Sequence, residues 1–138
     1  MDILVPIDNS EPAMKAVEHA VREYPDADLT LLHVIDPSVG MYGEGGIYAY
    51  DSILETRREA ADDLLENAAE IAANHDGSVE RETVVGSPSN EIVAVAESKD
   101  VEHIVIGSHG RSGASRVLLG SVAERVVRRA PVPVTIVR

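Results

Sequence analysis

The stretch HIVIGSHGRSGASRVLLGS, residues 103–121, sets an apolar run directly before a glycine cluster and ends at a helix-start signal. Its last fifteen residues, Gly107 to Ser121, hold four of the chain's ten glycines. Three follow a fixed pattern: Gly107, two residues, Gly110, nine residues, then Gly120 followed by Ser121. Glycine loses more conformational freedom on folding than any other residue, so such a cluster needs a reason. Either the backbone turns sharply there, or something approaches it closely.

Working outward, short β-branched runs alternate with longer amphipathic stretches, the pattern of a βαβ protein with a mainly parallel sheet. The runs are ILVPI (3–7), LTLLHVI (29–35), VERETVV (79–85), EHIVIG (102–107) and VPVTIV (132–137). Four are apolar enough to be buried on both faces, whereas VERETVV alternates as a strand nearer an edge does. Between them, Ala13, Ala16, Val17, Ala20, Val21 and Tyr24 recur at helical spacing behind Ser10, a plausible N-cap. Leu54, Ala61, Leu64, Ala68, Ile71 and Ala72 mark a longer second helix. Ser87-Pro88 opens a third, with Pro88 suited to the first helical position. Ser121 and Glu124 have capping-box spacing at the start of a fourth, which ends near Arg128, Arg129 and Pro131. Without an internal repeat or linker, the reading is one doubly wound α/β domain over residues 1–138, a five-stranded parallel sheet with helices on both faces.

One segment breaks the rhythm. SVGMYGEGGIYAY (38–50) carries four glycines and three of the four tyrosines. A long loop in a compact domain tends to be functional, and this one follows a strand's C-terminal end, where doubly wound folds bind ligands. It reads as a flap beside the site. Its tyrosines either stack on a ligand ring or decorate a loop.

Composition narrows the function. With 138 residues, no Cys, Phe or Trp and a net charge of −12, no disulfide framework or thiolate metal site is possible. The acidic balance argues against nucleic acid or an anionic membrane as the main partner, because phosphate backbones demand a basic footprint. MDILVPID lacks a basic segment followed by a long apolar one, and no run is long enough to span a bilayer, so the expectation is a cytoplasmic domain. Only Lys15 and Lys99 are lysines. Such a surface fits plain solubility or a salt-rich cytosol, where ionic strength screens self-repulsion.

The familiar nucleotide signatures are absent. The turn after the first strand reads PIDNSEPA, not GxGxxG, and GEGGIY in the flap opens no obvious helix. No lysine lies near the glycines to make a P-loop. There is no GxSxG elbow, metal cluster, or carboxylate pair beside a nucleophile, so no catalytic residue is assigned. What remains is a way of holding phosphate. Gly107, ending a strand, lets a ribose or phosphate touch backbone; Gly110 lets the loop turn its N–H groups inward. Gly120 and Ser121 begin a helix whose free N–H groups and positive dipole end favour an anion. Arg111 adds a charge-assisted contact.

Here the sequence resembles the universal stress protein family, in its ATP-binding branch. The family motif G-x2-G-x9-G-[ST] is met by Gly107, Gly110, Gly120 and Ser121. ILVPIDNS resembles the family's first strand and the Asp after it, here Asp8; LLHV, GSPSNEIV and APVPVTIV resemble its second strand, third helix start and last strand. The resemblance implies the strand order 3-2-1-4-5, with Asp8 and Gly107 ending adjacent strands where the winding reverses. It implies adenine near Pro6, Ile7 and Val34, ribose at Asp8 and Gly107, and phosphates at Ile106, Gly110, Gly120, Ser121 and Val122. The implied ligand is ATP or AMP, with magnesium or manganese as candidate ions, and the implied assembly is a homodimer through the last strand, 132–137. The implied role is a stress-response regulatory module, with slow ATP hydrolysis at most.

Two other readings stand beside it. An ATP-hydrolysing enzyme of the adenine nucleotide α-hydrolase type would carry a glycine-rich phosphate loop where this chain has DNSEPA. A dimeric scaffold without nucleotide would have no use for the intact glycine motif. Single residues also have plainer readings. Gly120-Ser121 fits a simple turn and cap, Asp8 and Arg111 fit solvated loop positions, and His109 fits a loop histidine. His33 and His103 fit packed strand positions, and Arg125, Arg128 and Arg129 fit a solvated helix end.

Overall fold

The alternation of apolar runs and amphipathic stretches resolves into the order β1 (Asp2–Pro6), α1 (Glu11–Glu23), β2 (Asp28–Ile35), α2 (Gly46–Ile71), β3 (Val79–Val85), α3 (Pro88–Ser98), β4 (His103–Gly107), α4 (Ser121–Arg129) and β5 (Val134–Val137). These come from a computed structural model, which describes residues 1–38, 46–108 and 119–138, with the backbone alone for 46–50. The five strands form one parallel sheet in the order β3-β2-β1-β4-β5. The order implied by the family resemblance is the order observed.

Side-chain alternation along the strands builds a layer on each face. Ile3, Val5, Leu29, Leu31 and Val105 pack under α1 and α2, against Val17, Ala20, Leu65 and Ala68. Leu4, Leu32, Ile104 and Ile106 point the other way, against Ile92, Val95, Ala123 and Val126 of α3 and α4. The three central runs, in β1, β2 and β4, are buried because they are covered on both sides, whereas VPVTIV, the fourth run expected to be buried, forms the edge strand β5 and is only partly buried. VERETVV, read as nearer an edge, is the edge strand β3.

Local capping differs from helix to helix. Ser10 caps α1 as its sequence suggests, its hydroxyl accepting from the Ala13 N–H at 3.3 Å, with Pro12 in the first turn. α3 opens at Ser87-Pro88, again as read, but the Ser87 side chain makes no capping hydrogen bond. The Ser121/Glu124 capping box does not form. Gly120 is the cap of α4 and Ser121 its first residue, so Glu124 lies one position too far along and bonds Arg128 at 3.0 Å instead. The second helix starts at Gly46, the last glycine of GEGGIY. The expected flap therefore ends inside a helix, and its remainder, 39–45, lies outside the described residues.

Among the described residues no helix is long and apolar enough to cross a membrane.

Candidate functional site

In the order 3-2-1-4-5 the chain winds outward from β1 through β2 to β3, crosses back through α3 to β4 beside β1, and winds the other way to β5. The two crossovers leave on opposite faces, so a crevice opens between the C-terminal ends of β1 and β4. A cavity of about 750 Å³ occupies that position. Its walls come from the end of β1 (Pro6, Ile7, Asp8), the end of β2 (Leu32, His33, Val34), the end of β4 (Ile106, Gly107) and the start of α4 (Gly120, Ser121, Val122). Pro88, Ile92 and Arg125 close the side towards α3.

Nine of the eleven residues singled out from the sequence line this one cavity: Pro6, Ile7, Asp8, Val34, Ile106, Gly107, Gly120, Ser121 and Val122. Gly110 and Arg111, together with His109, lie outside the described residues. The volume falls in the range of small-molecule sites, which are mostly apolar with a few placed polar groups. Here Ile7, Leu32, Ile92 and Ile106 are buried and supply the apolar part.

The polar groups are positioned by the backbone around them. The Ile7 N–H donates to the Leu32 carbonyl at 2.7 Å, extending the β1–β2 ladder past the end of β1. The Ile7 carbonyl in turn accepts from Nδ1 of His33, also at 2.7 Å. A carbonyl can only accept, so this bond places the proton on Nδ1 and leaves Nε2 for another partner. Ile7 is thus tied to β2 through both its backbone groups, and the next residue, Asp8, is presented from a fixed stem. The Asp8 carboxylate is exposed and accepts a hydrogen bond from the Ser10 hydroxyl. Ser10 therefore caps α1 and orients Asp8 with one oxygen.

At the opposite wall, Gly120 caps α4 with φ −61° and ψ 153°, a conformation open to any L residue. Its glycine is not required by the backbone. It contributes no side-chain cap, so the first N–H groups of α4 keep their hydrogen-bonding capacity and the positive end of the helix dipole meets the cavity.

Gly107 has a reason to be glycine besides the one its motif suggests. A Cβ there would lie 2.5 Å from the carbonyl carbon of Pro12 and 2.6 Å from the Ala13 nitrogen. Its missing side chain makes room for the first turn of α1, and its remaining surface lines the cavity.

His33 and Arg125 are cavity residues that sequence reasoning missed. LLHV placed His33 correctly near the end of a strand, but a strand pattern does not say that the ring reaches back to the Ile7 carbonyl. Arg125 sat in what read as a solvated helix end, and only the packing of α4 beside α3 brings it to the rim. Among the described residues no group of three or more His, Asp or Glu side chains gathers as a metal site.

A switch-point crevice walled by an exposed aspartate and a helix N-terminus without a side-chain cap defines a doubly wound α/β protein. The chain belongs to the universal stress protein family, whose model matches residues 1–138. It is 36% identical over 141 residues to universal stress protein MJ0531 of Methanocaldococcus jannaschii, covering 99% of this chain and 81% of the relative. It is 37% identical over 146 residues to universal stress protein YxiE of Bacillus subtilis, covering 99% and 97%. Among solved structures, universal stress protein UspA from Lactobacillus plantarum superposes with a TM-score of 0.85 at 28% identity, over 100% of this chain and 97% of that one. The universal stress protein from Archaeoglobus fulgidus, solved in complex with dAMP, does so with a TM-score of 0.69 at 25% identity, over 100% and 98%.

Proposed function

We propose that residues 1–138 act as one universal stress protein domain that binds ATP or AMP in the switch-point cavity and serves as a regulatory module in the cytoplasmic stress response. The observation that carries this reading is the shared cavity: nine of the eleven residues singled out from the sequence, among them the exposed Asp8 and the α4 N-terminus without a side-chain cap, line one space of about 750 Å³. The dAMP bound by the Archaeoglobus fulgidus relative supports the adenine class of ligand.

In this reading Pro6, Ile7 and Val34 hold the base against backbone edges, and Asp8, held by Ser10, accepts hydrogen bonds from ribose hydroxyls. Gly120, Ser121 and Val122 offer N–H groups and the helix dipole to phosphates. Gly110 and Arg111 are assigned to the phosphates by the sequence motif alone. A magnesium or manganese ion accompanying ATP would be held chiefly by phosphate oxygens. The protein works as a homodimer, and its acidic surface suits a salt-rich cytosol.

The glycine motif supplies anion holders and no evident water-orienting base, and phosphoryl transfer depends on positioning and charge together. ATP turnover is therefore expected well below the ordinary enzyme range of about 1 per second and above. The deciding experiment releases small molecules from the purified protein by heat, identifies them by chromatography, and titrates AMP and ATP by calorimetry. Co-purified adenine nucleotide, or saturable binding of either, supports the proposal. Absence of both overturns it, and turnover in the ordinary enzyme range overturns the regulatory reading in favour of an ATP-hydrolysing enzyme.

A further inference from the structure

A second pocket of about 390 Å³ lies beside the first, lined by Ser87, Ser89, Asn90, Arg125, Arg128 and Arg129. Arg125 lines both. In a chain of net charge −12, three of the twelve Lys and Arg residues meet here. Their spacing of three and four along α4 puts them on one side of the helix.

Three observations converge on an anion. The pocket sits at the start of α3, an 11-residue helix whose cap residue Ser87 gives no side-chain hydrogen bond to the first turn, so first-turn N–H groups stay available although Glu91 in that turn offsets part of the dipole. Ser89, on that first turn, is 3% exposed, and its hydroxyl bonds to no described residue. The hydroxyl itself is not sealed in, because the sealed unpartnered side-chain atom among the described residues is Nδ1 of His75. The hydroxyl keeps access to the pocket it lines. Finally, Arg125 makes no ion pair with a described residue, whereas Arg128 is held by Glu124 at 3.0 Å and Arg129 bonds Oδ1 of Asn90. Compensation of the α4 dipole accounts for basic residues at its last turn. It accounts neither for Arg125, a turn earlier, nor for the unpartnered Ser89.

We propose that this pocket is a second anion site that takes a phosphate group, with Ser89 and the first N–H groups of α3 on one side and Arg125 and Arg129 on the other. The Arg129 guanidinium, already oriented by Asn90, presents a fixed fork to phosphate oxygens. The phosphate arrives either on a separate small anion or as the distal phosphate of a nucleotide whose base occupies the first cavity. The second source rests on the proposed function; the first does not.

The probe is inorganic phosphate, titrated by calorimetry at constant ionic strength against chloride, into the parent protein and into Ser89→Ala and Arg129→Gln. Arg129 is exposed and Ser89→Ala removes one oxygen, so melting curves should show both variants folded. Saturable phosphate binding, weakened tenfold or more in both variants, is expected. The titration is then repeated on protein saturated with AMP and with ATP. Binding that survives both nucleotides assigns the pocket to a separate anion; binding that survives AMP but is displaced by ATP assigns it to the nucleotide's own tail. No binding beyond chloride, unchanged affinity in the two variants, or displacement by AMP would each overturn the second site. Failure of the nucleotides to bind leaves the phosphate arm intact, so the two proposals fail separately.

Discussion

Gly107 at the end of β4 and Pro12 at the start of α1 approach so closely that a Cβ on Gly107 would lie 2.5 Å from the Pro12 carbonyl carbon. Both neighbours in that contact are backbone, so no side chain can swing aside. Gly107→Ala is expected to push α1 from the sheet, at a cost of about 1–3 kcal/mol or more. The melting temperature of the ligand-free variant should fall by several degrees. An unchanged melt would show that the α1 approach is not what demands glycine at this position.

That contact also marks where the sequence stops being legible. The strands and helices could be read from HIVIG, LTLLHVI and the Ala/Val spacing of α1, because periodicity reports burial directly. Gly107, Gly120 and Ser121 could be read because a motif of fixed spacing starts at a strand end and finishes at a helix start, whereas Pro6, Ile7, Asp8, Val34, Ile106 and Val122 came from the family resemblance. Physical causes were less accessible. Gly107 answers to a helix nearly a hundred residues earlier in the chain, and no local pattern encodes that proximity. Ser121 and Glu124 have capping spacing, but Gly120 takes the cap, which shifts both by one position. His33 and Arg125 needed the packing of β2 on β1 and of α4 beside α3 before either could be placed.

Ser121 separates helix stability from ligand binding, because a negative charge there should act on the two with opposite sign. It is the exposed first residue of α4, and its side chain lines the cavity rim without capping the helix. A carboxylate at a helix N-terminus stabilises by about 0.3–1 kcal/mol. Ser121→Glu should therefore leave the melting temperature unchanged or slightly raised. The same charge facing phosphates should weaken AMP and ATP binding tenfold or more. Calorimetry and a melting curve on the one variant test both signs. Parental affinity for both nucleotides would remove the α4 N-terminus from the phosphate site.

His103 predicts how stability responds to mild acid. Burial, with a smaller contribution from the charge of His19, holds the imidazole below its ordinary 6.5. Its Nε2 lies 2.7 Å from the Thr135 hydroxyl, and its ring packs on Tyr24 with centroids 5.5 Å apart. The unfolded chain takes up this proton at a higher pH than the folded one, so stability falls as pH drops below about 6.5. The loss levels off below the folded value. Asp28 and Asp36 are held below 3.8, chiefly by hydrogen bonds from the Ser78 backbone and the Ser38 side chain respectively. Their stabilisation is present above 3.8 and is lost only in stronger acid, so the windows separate. Urea midpoints between pH 8 and pH 5 should decline in the parent and decline less in His103→Gln. Equal slopes would show that His103 does not carry the effect.

The two edges of the sheet predict the assembly. β3 carries Glu80, Arg81 and Glu82 along its length, and Lys99 bridges Glu80 and Glu82 at 3.3 and 3.4 Å, so this edge is guarded by charge. β5 is the other edge, and VTIV has no charge before Arg138. A bare edge invites another strand. The Pro133 carbonyl accepts from Ile104 and the Val137 carbonyl from Ser108, so odd-numbered residues bond inward to β4. By the strand's period of two, Val134 and Ile136 turn their N–H and C=O groups outward. Pro133 faces inward with the other odd-numbered residues, so its missing N–H removes no donor from the outer edge. A homodimer paired along β5 is expected by sedimentation at micromolar concentration in molar potassium chloride. Val134→Pro removes an outward donor while sparing the inward bonds, so it should yield a folded monomer or a dimer at least tenfold weaker. A parent protein that sediments as a monomer, or a proline variant that dimerises as tightly as the parent, would place any assembly elsewhere.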